Sequence, residues 1–357
     1  MNKNDIKITL TSHPKEKPAP ETLLFGREFT DHMFTMDYSP EKGWHDPQII
    51  PYGPFQMDPA TMVLHYSQSV FEGMKAYKTP EGKVVLFRPE MNFKRLNISN
   101  ERLCIPEIDV DFAITALKEL IKVDQDWIPT APGTSLYIRP FTMGMDKSLG
   151  VTPSSHCKFA IILSPVGPYY KEGINPVKIY VEDEYVRAVK GGIGFTKATA
   201  NYAASLKGQQ KAMKLGYAQV LWLDGVERKY VEEVGAMNVF FKIDGELITP
   251  SLEGSILAGV TRDSVIQIAR SMGIKVTERK LSIQEIFEAA DSGKLEEAFG
   301  SGTAAVITPV GLLTWEDRSI TIADGKNGDF TMKVYNELTG IQNGVVEDRF
   351  GWIVSVA

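Results

Sequence analysis

The chain has 357 residues, 43% of them hydrophobic and 24% charged, with a formal net charge of −6. That length exceeds one ordinary core and predicts two domains of roughly 150 to 180 residues. The acidic balance without any Lys/Arg-rich run excludes a nucleic-acid partner, the apolar runs are too short for a membrane span or a signal peptide, and two cysteines, Cys104 and Cys157, build neither a disulfide framework nor a cysteine metal site, which points to the cytoplasm.

In chain order, the polar, proline-rich residues 1–22 read as a loosely held arm. Alternation predicts strands over 33–38 and 75–88, the latter folded back by Thr79-Pro80-Glu81-Gly82. Between them, 65–73 reads as a short helical turn carrying Tyr66 and Phe71. Proline opens a helix over 89–103, and 111–123 is an amphipathic helix whose stripe is Ile114, Leu117, Leu120 and Ile121. Strands at 135–141 and 158–166 complete a first domain over 1–168. The turn chemistry of Val166-Gly167-Pro168-Tyr169 through Gly173 predicts an interdomain loop over 169–180, ahead of a second domain over 181–357. There the expected elements are strands over 177–186, 218–223, 230–243, 247–249 and 304–314, and helices over 260–272, 283–290 and 331–341. The class is α+β, without internal repeats.

The stretch Gly191-Gly192-Ile193-Gly194-Phe195-Thr196-Lys197-Ala198-Thr199-Ala200-Asn201-Tyr202 presents one lysine and runs into a helix through Lys214. Glycines allow positive φ and close backbone approach, and Ala198, Thr199 and Ala200 leave room for a bulky group on the amine. A P-loop needs glycine where Thr196 stands, and a dinucleotide fingerprint needs its third glycine where Lys197 stands, so both are excluded. If Lys197 carries pyridoxal phosphate, the chain must also supply a phosphate cradle, a partner for the pyridine nitrogen and a group near the ring hydroxyl. Gly259-Val260-Thr261 at a helix start offers the cradle, Gly302-Thr303 a second one, and Arg95 a fixed positive charge. Glu232 and Glu233 are the candidates for the nitrogen. They are adjacent in a strand and face opposite sides, so either could serve. Tyr202 is placed to reach the ring oxygen.

Taken together, several ordered blocks make the chain similar to the branched-chain amino-acid aminotransferases, a fold-type IV family of pyridoxal-phosphate enzymes. The blocks are Phe25-Gly26 with Phe29-Thr30-Asp31-His32-Met33, Phe71-Glu72-Gly73-Met74-Lys75-Ala76, Leu86-Phe87-Arg88-Pro89 with Asn92 and Arg95, Leu136-Tyr137-Ile138-Arg139-Pro140, and Val220-Leu221-Trp222-Leu223. The resemblance implies a small α/β N-terminal domain and a larger C-terminal domain with a mixed sheet or barrel. It implies reversible transamination of leucine, isoleucine and valine with 2-oxoglutarate by a ping-pong mechanism, in a homodimer with shared sites. Lys197 resembles the cofactor-bearing, proton-moving lysine, Tyr202 the ring-hydroxyl partner, and Glu233, in Glu233-Val234-Gly235, the pyridine partner. Val260, Thr261, Thr303 and Arg95 match the phosphate contacts. Phe25, Tyr66, Phe71, Tyr137, Arg139, Tyr169, Ala236 and Ala304 match the substrate pocket, with Arg139 for the second carboxylate of glutamate. Val151, in Ser148-Leu149-Gly150-Val151, resembles the loop that reaches into the partner's pocket. Ala236 replaces a threonine found in some members, and Ala305 and Thr308 stand where vertebrate members carry a Cys-x-x-Cys pair. D-amino-acid aminotransferase and aminodeoxychorismate lyase, of the same fold type, are the alternative readings.

Overall fold

The computed structural model describes residues 1, 3–169 and 173–356, so Tyr170, Lys171 and Glu172 of the expected interdomain loop lie outside the described residues. Two compact units form. Met1–Lys171, Thr196–Thr199 and Ile341–Ala357 make the first, and Glu172–Phe195 with Ala200–Gly340 make the second.

The first unit contains strands β1 (Lys7–Ile8), β2 (His32–Ser39), β3 (Gly43–Pro51), β4 (Ser69–Phe71), β5 (Met74–Lys78), β6 (Val84–Phe87), β7 (Ser135–Gly144) and β8 (Cys157–Val166), with helices α1 (Met62–Tyr66), α2 (Pro89–Arg102) and α3 (Val110–Val123). The sheet order is β1-β3-β2-β8-β7-β5-β6, then the C-terminal strand Ile353–Ser355, with β4 also paired to β7. That C-terminal pairing, and the contact of Trp352 with Phe87 at 5.5 Å between ring centroids, draws 341–357 into this unit rather than the second. The arm is tethered rather than loose, because Lys7 and Ile8 pair in parallel with Gln48 and Ile49.

Aromatic contacts hold the helices on the sheet. Phe34 of β2 meets Phe112 of α3 at 6.4 Å and Phe159 of β8 at 5.8 Å, and Phe93 of α2 lies 6.5 Å from Phe159. The Asp109 carboxylate accepts from the Phe112 N–H at 2.8 Å and fixes the start of α3. With that start, Phe112, Ala113, Ala116, Leu117, Leu120 and Ile121 form the buried stripe, and Ile114 is displaced to its half-buried margin. The expected turn over 65–73 is instead α1, a left-handed residue at Ser67 with φ 51, and β4.

The second unit contains β9 (Val177–Glu182), α4 (Thr199–Lys214, from its second residue), β10 (Gln219–Leu223), β11 (Val231–Val234), β12 (Met237–Ile243), β13 (Glu246–Thr249), α5 (Val260–Ser271), β14 (Val276–Glu278), α6 (Ile283–Asp291), β15 (Leu295–Gly302), β16 (Val306–Trp315), β17 (Arg318–Thr321) and α7 (Asp329–Gln342). Strands β11-β10-β9-β16-β15-β12 run in order, and β12 pairs back onto β11 to close a ring of six. Closure leaves that ring without an open edge. Val181, Leu221, Val234, Phe241, Ala298 and Leu313 belong to its core, against which Ile283, Ile286 and Phe287 of α6 pack. Among the described residues no helix is long and apolar enough to cross a membrane.

Candidate active site

In the first unit the Lys197 segment is tied at both its main-chain groups. The Ser99 hydroxyl accepts from the Lys197 N–H at 2.9 Å, and the Lys197 carbonyl accepts from the Phe71 N–H at 3.1 Å. An isolated bridge between Val70 and Ala198 extends β4 onto the segment. The lysine is therefore presented by fixed backbone, and its Nζ lies 5.1 Å from the centre of the Phe71 ring.

The block Phe71-Glu72-Gly73 divides its work by residue. Phe71 also lies under Arg139, whose guanidinium carbon is 4.5 Å from the ring centre. Glu72 is fully buried and grips Arg95, with Arg95 Nε donating to Oε1 at 2.7 Å and Nη2 to Oε2 at 2.9 Å, while Asn92 Nδ2 donates to Oε2 at 2.8 Å. Burial acts to raise the Glu72 carboxyl, but Arg95 and, behind it, Lys197 outweigh burial and hold it below the usual carboxylate range. Gly73 makes room for a neighbour, since a Cβ there would sit 2.2 Å from the Tyr137 hydroxyl oxygen. That hydroxyl accepts from Arg139 Nη2 at 3.0 Å.

Phe25 meets the Tyr137 ring edge-on at 4.9 Å and Tyr169 at 6.4 Å. The first unit thus brings together Lys197, Arg95, Phe71, Tyr137, Arg139, Phe25 and Tyr169 of the expected site. The Tyr66 hydroxyl donates to the Leu149 carbonyl, and Leu149 and Val151 are 71% and 80% exposed. Arg139 Nε is buried with no hydrogen-bond partner among the described residues, a donor suited to a carboxylate. Opposite Tyr137 in register, burial lowers Lys75 to about 8.

In the second unit Asn238 organises a cluster of its own. It pairs with Glu233 on β11 and with Ser301 on β15, and its Nδ2 donates to the Leu257 carbonyl at 2.8 Å. Leu257 N–H in turn donates to Glu233 Oε1 at 3.0 Å. Gly259, the N-cap of α5, packs so tightly on Asn238 that a Cβ would fall 2.0 Å from Oδ1. Glu233, the Gly235-Ala236 turn, the start of α5 at Val260 and Thr261, and the Thr303-Ala304 turn therefore gather at one end of the barrel. Among the described residues no side chain caps α5, so its first N–H groups are left for another acceptor at its positive dipole end. Val306, just past the second turn, takes φ 62, a strained conformation for a β-branched residue. Tyr202 is half-buried in the first turns of α4.

The glycine loop behaves as its composition suggests. Gly191 has φ 83, and a Cβ on Gly194 would meet the Ser255 carbonyl oxygen at 2.4 Å. Gly194 and Ser255 both offer carbonyls to Arg187 Nη2, and Arg187 Nε forms an ion pair with Glu233 Oε2 at 3.1 Å, at an angle outside a hydrogen bond.

Sequence reasoning missed Glu72, Asn92, Ser99, Arg187, Asn238 and Ser255. One signal existed on α2. Asn92, Arg95 and Ser99 recur there at helical spacing, and all are buried.

The amino-transferase class IV family model matches residues 69–313. Over 357 residues the chain is 58% identical to branched-chain-amino-acid aminotransferase 2 of Bacillus subtilis, covering 100% of this chain and 98% of that protein. Among solved structures it is similar to the branched-chain amino acid aminotransferase of Escherichia coli, at TM-score 0.73 and 28% identity, covering 91% of this chain and 99% of that one. It is also similar to the T.th. branched-chain amino acid aminotransferase with pyridoxamine 5'-phosphate, at TM-score 0.76 and 26% identity, covering 92% and 100%.

Proposed function

The chain belongs to the class IV aminotransferase family, and from that premise we propose that it exchanges the amino group of leucine, isoleucine or valine with that of glutamate, through 2-oxoglutarate and the branched 2-oxo acids. The observation that carries the substrate class is the likeness along the whole chain to a relative named for branched-chain amino acids. The aromatic group of Phe25, Phe71, Tyr137 and Tyr169 supports it as an apolar wall, with Tyr66, Ala236 and Ala304 as further proposed lining. Arg139, with its unpartnered Nε, is proposed to take a carboxylate.

The donor set fits pyridoxal 5'-phosphate. An uncapped α5 N-terminus at Val260 and Thr261, the Thr303 turn and Arg95 would hold a phosphate, Glu233 would face the pyridine nitrogen, and Tyr202 the ring oxygen. When bound, the cofactor supplies an electron sink for the pair left at the substrate Cα. Lys197 Nζ would take the Cα proton as base and, as acid, would deliver it to the carbon at the far end of that electron sink rather than back to Cα. Its tied backbone fixes the Cα from which the amine reaches, which serves proximity. Glu233, pinned by Leu257 N–H, holds negative charge in a fixed direction. We further place the enzyme in the cytoplasm, in keeping with its two free cysteines, as a homodimer in which Val151 reaches the partner's pocket.

The test is a coupled assay of the purified protein with 2-oxoglutarate and leucine, isoleucine, valine or their D-isomers, with an absorption spectrum before and after borohydride. Turnover confined to the branched L-amino acids, by a yellow protein that borohydride bleaches, is expected. Turnover of D-amino acids, or a colourless protein after incubation with cofactor, overturns it.

A further inference from the structure

Glu232 lies outside the proposed site, yet it is built like a working residue. Its side chain turns to the face of β11 opposite Glu233 and is 6% exposed, at the edge of a cavity of about 220 Å³. One carboxyl oxygen, Oε1, accepts from the Ser255 hydroxyl, and Oε2 is buried with no hydrogen-bond partner among the described residues. A merely structural carboxyl at this depth would have both oxygens satisfied.

The segment 255–257 joins the two carboxyls. At one end the Ser255 hydroxyl holds Glu232, at the other the Leu257 N–H holds Glu233, and between them the Ser255 carbonyl accepts from Arg187, whose Nε contacts Glu233. Arg187 thus touches Glu233 directly and reaches the residue that holds Glu232 through the Ser255 carbonyl. Its contact with Glu233 is an ion pair of poor angle, so a second negative charge nearby competes for it.

We propose that Glu232 is a positioning residue for the reaction, acting through Arg187 and Ser255: its ionisation draws Arg187 off Glu233 and so sets the negative charge that Glu233 presents to the pyridine nitrogen. The proposal rests on the reading of Glu233 given above. Burial raises the Glu232 carboxyl to about 7, with Glu233 and Asp224 pushing the same way and Ser255 and Arg187 opposing. The other charged groups on the cavity are Lys190, Glu227, Glu253 and Lys280, together with the Tyr230 phenol. Lys280 is paired with Glu253 at 3.5 Å, so little net charge faces Glu232 from that side. The cavity also gives water a route to the carboxyl, which lets it exchange its proton without unfolding.

The experiment compares the full-length parent with Glu232→Gln, Ser255→Ala and Glu233→Gln across about pH 5.5 to 8.5, a span set to bracket the ordinary and raised carboxyl values. Two readouts are taken: the infrared band of a protonated carboxylic acid, and the dissociation constant of pyridoxal phosphate. In the parent, both should change with one midpoint near 7. Glu232→Gln, which fixes the uncharged state, should remove both transitions and hold the dissociation constant at its low-pH value. Ser255→Ala should move the midpoint upward, because the ionised form loses a donor. A mainly structural Glu232 would alter stability without moving a midpoint. If Glu233→Gln is impaired while Glu232→Gln keeps the parental midpoint, this proposal fails and the reading of Glu233 stands. If Glu233→Gln leaves cofactor affinity unchanged, both fail.

Discussion

Glu72→Gln should cost the fold more than any loss at the proposed chemistry itself. The side chain of Glu72 is 0% exposed and that of Arg95 is 9% exposed, and the pair is bidentate at 2.7 and 2.9 Å. Glutamine keeps the shape but removes the charge, leaving a buried guanidinium with a neutral neighbour. Breaking such a pair costs about 3–5 kcal/mol, which for a unit of this size lowers the melting temperature by roughly 10 °C. Far-UV circular dichroism of the cofactor-free protein measures this directly. Arg95→Met should cost a similar amount, and the double variant should recover much of the loss, because two apolar or neutral groups of matching volume carry no uncompensated charge. The sign with pH follows from the lowered carboxyl. Its contribution is present above the ordinary glutamate range and is lost as pH falls through its depressed value. Single variants within about 1 kcal/mol of the parent, or strictly additive losses, would refute the reasoning, since additivity denies that the two charges depend on each other.

Lys197→Ala should abolish transamination while circular dichroism shows an unchanged fold; near-normal turnover would remove the lysine from the mechanism. Glu232→Gln should be more stable than the parent above about pH 8 by about 3 kcal/mol and equal to it near pH 4.5, because the fold favours the neutral carboxyl and its contribution is lost as pH rises through about 7; a pH-independent difference in melting temperature would contradict that. Mild peroxide should leave activity nearly unchanged, since burial pushes the Cys157 thiol up to about 12 and the exposed Cys104 is not among the proposed site residues; rapid inactivation reversed by thiols would count against it. Val151→Asp should raise the Michaelis constant for leucine more than for glutamate, and mixing it with Lys197→Ala subunits should restore activity at low leucine; no recovery after proven exchange would reject the shared pocket.

The long elements are legible in sequence for a simple reason. In α3 and α5 an apolar stripe and a polar opposite face agree, and both helices end within a residue or two of expectation. Where local signals conflict, partners decide. Strand β3 is obscured by His45, Asp46 and Pro47, and Asp46 takes φ 51 beside a register shift. Residues 7–8 and 353–355 are too short to show a period at all, and they become strands because β3 and β6 offer edges to pair with.

The site divides along a different line. Its proposed reactive groups are legible because each has an unusual neighbourhood in sequence: a lysine after glycines, adjacent glutamates, a glycine before a helix. The groups that hold them are ordinary residue types, and only tertiary distance gives them a role. Ser99 is one hydroxyl on a helix until the Lys197 N–H is placed 2.9 Å from it. Arg187 is one more charge in a loop until Glu233 is found 3.1 Å away. The pair Glu232 and Glu233 shows the limit most clearly. Period-two geometry says they face apart, and they do, but it cannot say that Ser255 and Leu257 reach around the strand to hold one carboxyl each. Two residues on opposite faces are normally independent. Here a three-residue segment and one arginine couple them, which is why a substitution on the face away from the proposed chemistry is expected to be felt on the other.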